Sequence, residues 1–363
     1  MIIDFIDQKP FLFFAMIGAA ALIYIYFNAK ISENLKVVVF NIAFIMLIFG
    51  FIEAACIFKD NLYDVKETGH LLCEPDSVRG YCPKSDQRSP SKRLRYGKVL
   101  YDVVYTTDHF GLRVAPHDLR SARVDPNARR ALFFGCSFTF GVGVNDNETI
   151  PFIFEKNSHG KYLAYNFGIP GGGPHQMLAL LESEVPDHVL AGQKPVAAVY
   201  QALPCHIERA SFKSYGLGSY ANSGPRYFLD PSNRYLLKKK EGTPSLSMFD
   251  ILSKSAFLRD SLLRSVIIRT EANRKLFVAI VKRSKEIFEH KYGGKFYVIY
   301  WDWVDRDDQV TIEDLRREGI QVIPVSNILK GYREHDEKYS LKEGHPNPLA
   351  YQTIAQYLLN ENL

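Results

Sequence analysis

Between Ala131 and Val144 the chain reads ALFFGCSFTFGVGV, an apolar run that breaks at Gly135 and meets a serine two residues later. Such a run is the pattern of a strand buried on both faces, as in a parallel sheet covered by helices. The Gly-Cys-Ser that follows predicts a sharp turn exposing Ser137 at the strand's carboxyl end, the edge where open α/β sheets bind ligands. The spacing Gly-x-Ser-x-Gly of a nucleophile elbow is absent, because Ser137 is followed by Phe138, Thr139 and Phe140 before Gly141. A Gly-x-Ser alone is ordinary turn chemistry, so its meaning depends on the segments that accompany it.

Three segments do so. YNFGIPGGGPHQ, from Tyr165 to Gln176, follows by the length of a helix and a strand, which places Asn166 and Gly168 at the end of a second strand. EGHPNPLA, from Glu343 to Ala350, sets His345 just before a Pro-Asn turn at the mouth of a terminal helix, YQTIAQYLL, with apolar residues at helical spacing. YTTDHFGLR, from Tyr105 to Arg113, is a β-rich piece ending in a glycine turn, and its expected task is structural. Between them PVAAVY (195 to 200), KFYVIYW and GIQVIPV read as the third, fourth and fifth strands.

Taken in order, these segments resemble the blocks of the SGNH (GDSL-like) hydrolase and acyltransferase superfamily in its membrane-anchored bacterial form. The resemblance runs from about Tyr105 to Leu363. It implies an α/β fold with a flavodoxin-like, three-layer, doubly wound parallel sheet. It also implies Ser137 as nucleophile, His345 as base and Glu343 as the acid orienting it, in a Glu-x-His spacing similar to the Asp-x-His of alginate acetyltransferases. Asp336 is the reserve acid. The backbone N–H groups of Ser137 and Gly168 are the implied oxyanion donors.

Two departures stand out. Cys136 occupies the place where the family usually has Asp. The third block, Gly-x-Asn-Asp, is missing after the third strand, where the chain reads QALPCHIER; Gln201 is the nearest amide and His206 the nearest other donor. Loss of one oxyanion donor costs on the order of a hundred- to a thousand-fold in rate, so the gap implies slow chemistry, a replacement donor, or a hole built from backbone alone.

The amino terminus sets the location. Phe11 to Phe27 is an uncharged apolar run, and Val37 to Phe58 is a second, interrupted by Glu53. Each is about the length of a membrane-spanning helix. A cleaved signal peptide is the alternative for the first, but its start, MIIDFIDQKP, carries two acids and little positive charge. Lys30 and Lys36 in the intervening loop favour a cytoplasmic loop, with the remainder of the chain in the periplasm of a bacterial inner-membrane protein.

Three segments follow: a two-helix membrane anchor over 1–58, a basic linker with a β-rich extension over 59–128, and a catalytic domain over 129–363. Arg79, Lys84, Arg88, Lys92, Arg93, Arg95 and Lys98 read as a solvated linker, or in the sharper reading as a contact for anionic headgroups or an acidic glycan. Cys73 and Cys82 bracket a short loop, which suggests a disulfide in an oxidising compartment; two unpaired thiols are the alternative. Residues 210–245, rich in Gly, Ser, Tyr and Lys, read as an insertion over the strand ends, and Met248 to His290 as two helices. Asp302 and Trp303 fall just past the fourth strand.

A net charge of +5 without an aromatic stacking motif argues against nucleic acid. No Cys and His spacing suggests a metal, and the chemistry needs no cofactor. The expected activity is removal of an O-acyl group, foremost O-acetyl, from a cell-envelope glycan through an acyl-serine. An O-acetyltransferase served by a membrane acetyl-donor protein is the first rival, and a catalytically weak glycan-binding or scaffold module the second.

Overall fold

The computed structural model describes residues 9–62, 65–69, 71–119, 125, 127–211, 224–230, 236–239, 255–258, 270–302, 305–332 and 336–361. The chain divides into two units, Met1–Asp64 with Gly242–Ile268, and Val65–Glu241 with Arg269–Leu363.

In the first unit, helices Pro10–Asn28 and Glu33–Leu62 are both long and apolar enough to cross a membrane. Pro10 opens the first helix, where its missing N–H is not needed. Phe14, Tyr24, Phe27 and Phe51 are exposed in the protein itself, an arrangement suited to an apolar surrounding. Glu53, the lone carboxylate in the second apolar run, is buried at 1% exposure: it accepts from the Ser255 hydroxyl (2.7 Å) and from the N–H groups of Ala256 (2.8 Å) and Phe257 (2.9 Å).

The second unit starts with an antiparallel extension. Strands β1 (Val65–Thr68), β4 (Arg88–Arg95) and β5 (Lys98–Thr106) form a three-stranded sheet, and β2 (Cys73–Asp76) pairs with β3 (Gly80–Pro83). The stretch expected as a basic linker is thus mostly strand. Arg79 is buried against Asp76 (2.8 Å), and Lys92 pairs with Asp102 across β4 and β5 (2.8 Å). The extension also belongs to the same compact unit as the α/β core rather than to a separate segment. The register of β2 and β3 sets Cys73 opposite Pro83 and Cys82 opposite Glu74. Because side chains alternate faces along a strand, this one-residue offset turns the two sulfurs to opposite sides, and both thiols are free, in contrast to the expected disulfide. Burial pushes each of them up to about 11.

The core is a parallel sheet of β6 (Arg129–Gly135), β7 (Tyr162–Gly168), β8 (Pro195–Ala202), β11 (Lys295–Tyr300) and β12 (Gln321–Pro324), in the spatial order β12-β11-β8-β6-β7. Numbered by their own succession that is 2-1-3-4-5 read from the β7 edge, the flavodoxin-like order, and β6 and β8 bracket the switch point. Strands β9 (Arg226–Leu229) and β10 (Leu236–Lys239) pair antiparallel; most of the remainder of the expected 210–245 insertion lies outside the described residues, as does most of 248–269.

Each face carries its own apolar cluster. Leu132, Phe134 and Tyr200 pack with the helices Pro174–Glu182, Glu271–Tyr292 and Asp305–Arg317, while Phe133 and Val199 pack with Ile150–Asn157 and the terminal Pro348–Asn360. Helix ends follow local chemistry: Thr270 caps Glu271–Tyr292 by accepting the Asn273 N–H, and Gly293 closes it in the left-handed region. Asp302, at the end of β11, is buried; its carboxylate accepts from the N–H and hydroxyl of Ser326 and so ties two strand ends together. Trp303 lies outside the described residues.

Candidate active site

Strand β6 ends at Gly135, and the chain turns into a short helix, Ser137–Phe140. The turn requires glycine: φ is +151°, and a Cβ there would lie 2.2 Å from Thr139 Oγ1. Ser137 therefore sits at the first position of a helix, at the carboxyl edge of the sheet. The N–H groups of Thr139 and Phe140 are spent on the Cys136 carbonyl, whereas that of Ser137 has no internal acceptor among the described residues.

His345 reaches this serine from the far end of the chain. Leu341 N–H donates to the His345 carbonyl (2.7 Å), and Asn347 caps the terminal helix through Ala350 N–H (3.0 Å), so the imidazole is held between two anchored points. His345 Nε2 is 2.9 Å from Ser137 Oγ, and its Nδ1 is 2.9 and 2.7 Å from the two carboxylate oxygens of Glu343. The Glu343 side chain is 5% exposed. With Glu343 accepting from Nδ1–H, Nε2 is left as the acceptor facing the serine hydroxyl. The side chain of the reserve acid, Asp336, lies outside the described residues.

Arg93 of β4 meets Glu343 from the opposite side, with Nη1 3.5 Å from Oε2. This contact was not legible in the sequence, where Arg93 was one cation in a run of seven. The pair spans 250 positions, and no local pattern announces it.

Asn166 and Gly168, at the end of β7, are fastened to the serine helix. Asn166 Nδ2 donates to the Thr139 carbonyl (2.9 Å), and its Oδ1 accepts the Gly168 N–H (3.0 Å). A Cβ on Gly168 would fall 2.3 Å from Phe140 N, so glycine is required for close approach. The Gly168 N–H is therefore occupied, which corrects its expected role as an oxyanion donor.

Backbone accounting through the next residues leaves one N–H open. Ile169 N–H donates to the Gly135 carbonyl (3.0 Å), Gly172 N–H to the Ile169 carbonyl (2.7 Å) and Gly173 N–H to Gln176 Oε1 (2.6 Å). Pro170 has no N–H. Gly171 alone keeps its donor without an internal acceptor among the described residues, and it lines a cleft of about 560 Å³ together with Ser137 and His345.

The cleft's other walls come largely from the extension: Tyr81, Tyr101, Tyr105, Leu71 and Cys73. Gln201 and His206, expected as candidate third donors, are not among its lining residues. Gln201 is buried, and its Oε1 accepts from the Trp301 indole (3.2 Å). His206 is buried beside the Tyr200 hydroxyl (2.6 Å to Nδ1), and burial, reinforced by the Arg209 charge, holds its pKa well below the ordinary value.

The YTTDHFGLR segment braces the loop behind the serine helix. Arg113 is 1% exposed and donates to the Asp146 carboxylate and to the carbonyls of Val104, Phe140, Gly141 and Val144, while the Tyr105 hydroxyl accepts the Gly143 N–H (3.0 Å). The guanidinium also lies 4.6 Å and 4.9 Å from the Tyr105 and Phe140 rings.

No family model matches the chain, and no curated protein does. Solved structures with a likeness to it include a lipolytic protein of the G-D-S-L family from Veillonella parvula (15% identity, 65% of this chain and 100% of that one, TM-score 0.36). A lipase from a goat rumen metagenome (15%, 65% and 98%, 0.34) is another. A catalytic mutant of an acetylxylan esterase from Geobacillus stearothermophilus (10%, 66% and 97%, 0.34) is a third. The functional reading rests on the site's own geometry.

Proposed function

We propose that the protein is a membrane-anchored SGNH-type serine esterase that removes O-acyl groups, foremost O-acetyl, from a cell-envelope glycan. The observation that carries the reading is the unbroken chain from Ser137 Oγ through His345 to the Glu343 carboxylate, with both hydrogen bonds at 2.7–2.9 Å. A serine hydroxyl is a weak nucleophile until a neutral imidazole takes its proton, and that imidazole needs a partner to fix its tautomer.

The reaction then follows. Ser137 Oγ attacks the ester carbonyl carbon as its proton passes to His345 Nε2, and the carbonyl oxygen becomes an oxyanion facing the N–H groups of Ser137 and Gly171. Collapse breaks the bond to the sugar oxygen, which takes the proton from His345. Water attacks the acyl-serine with His345 again as base, releasing the acid and restoring the serine. Glu343 stabilises the imidazolium at each stage.

The glycan part of the reading is supported by the cleft of about 560 Å³ beside Ser137, whose wall includes Tyr81, Tyr101 and Tyr105. Membrane anchoring is supported by the two apolar helices, and a periplasmic site by the Lys30 and Lys36 loop.

A fluorophosphonate probe should label the wild-type protein at Ser137, and Ser137→Ala should lose both the label and aryl-acetate hydrolysis by at least about a thousand-fold. A folded wild-type protein that neither labels nor turns over would refute the esterase reading. Turnover that appears only when a sugar acceptor is added would replace hydrolysis by transfer.

A further inference from the structure

The proposed reaction leaves the oxyanion with two backbone donors and no side-chain amide, so what holds the second donor in place becomes decisive. The Gly171 N–H belongs to the same peptide plane as the Pro170 carbonyl. That carbonyl accepts from the Tyr81 hydroxyl at 2.7 Å. In a trans peptide the C=O and N–H point in opposite directions, so anchoring the oxygen fixes where the hydrogen points. Donation to the oxygen also polarises the amide and makes its N–H a better donor.

Tyr81 comes from β3 of the extension and is 2% exposed, yet it lines the cleft beside Ser137. Burial pushes its phenol well above the ordinary value, so it stays a donor at every working pH.

The other side of the loop is held by Arg209, from the helix Cys205–Ala210. Its Nη1 donates to the Gly172 carbonyl at 2.7 Å. The residue is 7% exposed, and no carboxylate pairs with it among the described residues. His175, packed against Gly173, does not share the guanidinium's charge, because burial and the Arg209 and Arg226 cations push it down to about 3.

We propose that Tyr81 and Arg209 form a clamp on the Pro170–Gly173 loop, with Tyr81 a positioning residue that aims the Gly171 N–H at the oxyanion and Arg209 a positioning residue that holds the Gly172 carbonyl on the loop's other side. The clamp rests on the esterase reading. It also makes the antiparallel extension part of the catalytic apparatus, since Tyr81 does not belong to the α/β core.

Pro170–Gly171 is the sole Pro-Gly dipeptide in the sequence. Full-length protein in detergent, labelled with carbonyl-¹³C proline and ¹⁵N glycine, therefore gives one carbonyl–amide correlation, reporting the plane in question whether or not the protein turns over. Tyr81→Phe, which removes one oxygen and keeps the ring, should move that correlation and lower kcat by about ten- to a hundred-fold, part of the loss expected for deleting a donor outright. KM for the aryl acetate should change by less than about twofold, because the donor acts on the transition state. Arg209→Met should lower kcat in the same way, and if it fails to fold, Tyr81→Phe decides alone.

An unmoved correlation, or a moved one with wild-type kcat, overturns the clamp. A loss confined to KM overturns it too, leaving Tyr81 as a wall of the cleft. A wild-type protein without probe labelling or turnover would bring down the esterase reading and the catalytic role of the clamp with it, an outcome told apart from the others because it is seen before any substitution.

Discussion

Replacing Arg113 by lysine tests whether the YTTDHFGLR segment holds the active-site loop. The guanidinium spends five donated hydrogen bonds, from Nε to Asp146 (2.7 Å), from Nη1 to Phe140 (3.1 Å) and Gly141 (2.9 Å), and from Nη2 to Val104 (3.3 Å) and Val144 (2.8 Å). Lysine offers three donors from a single atom, so at least two charge-assisted bonds are lost and their acceptors stay buried. At about 1.5–3 kcal/mol for each bond to a charged group, Arg113→Lys should destabilise the domain by about 3–6 kcal/mol. For a domain of this size 1 kcal/mol moves Tm by roughly 2–4 °C, so the expected drop is about 6–24 °C. Thermal unfolding followed by circular dichroism measures it. Three of the five acceptors lie at the end of the serine helix or just beyond, so kcat should fall as well, even well below the lowered Tm. A Tm within about 3 °C of wild type, with kcat unchanged, would refute the brace.

Glu343→Gln should keep the fold and lower kcat by about ten-thousand-fold, roughly 5 kcal/mol of transition-state stabilisation, because an amide no longer selects the Nδ1–H tautomer of His345; stopped-flow aryl-acetate kinetics read this, and a loss below tenfold would remove Glu343 from its role. His117 bridges Glu155 (2.6 Å) and Asp118 (3.4 Å). Burial opposes its charge, but the hydrogen bond to Glu155 and the charges of Asp118, Glu155 and Asp108 win, and its pKa is raised above 6.5. A raised folded-state pKa means stability fully present below about 6.5 and lost as pH rises through the higher folded value. Tm of the wild type should therefore decline on that side relative to His117→Gln, and parallel Tm curves for the two proteins would contradict the bridge.

The sheet was legible because each core strand is a short apolar run, buried on both faces, and such runs need no information from elsewhere in the chain. Ser137 could be singled out because turn chemistry marks its place locally, whereas His345 and Glu343 were named through the resemblance of EGHPNPLA to the last block of the SGNH superfamily. Gly171 could not: in GIPGGG each glycine offers an N–H, and only the partners of its neighbours show which one is left over. Arg93 and Tyr81 were hidden for a different reason. Their partners, Glu343 and Pro170, lie far along the chain, and the surrounding basic residues gave the stretch the composition of a solvated linker. The Cys73 and Cys82 pairing failed because spacing fixes loop length but not strand register.

The extension and the α/β core divide the work of the site in a way that bears on why its third block can be absent. On the proposed reading the core supplies the reacting groups: the nucleophile at the end of β6, the donor loop after β7, and the base and acid before the terminal helix. The extension supplies restraint, with Arg93 on Glu343, Tyr81 on the Pro170 carbonyl, and Tyr105 and Arg113 on the loop behind the serine helix. A side-chain amide adds a donor by reaching into the hole. Fixing two backbone donors more rigidly achieves part of the same end, since preorganised dipoles need no reorientation as charge develops. On this view the missing asparagine and the added strands are two sides of one arrangement, and truncating residues 65–114 should abolish turnover even where the α/β core still folds.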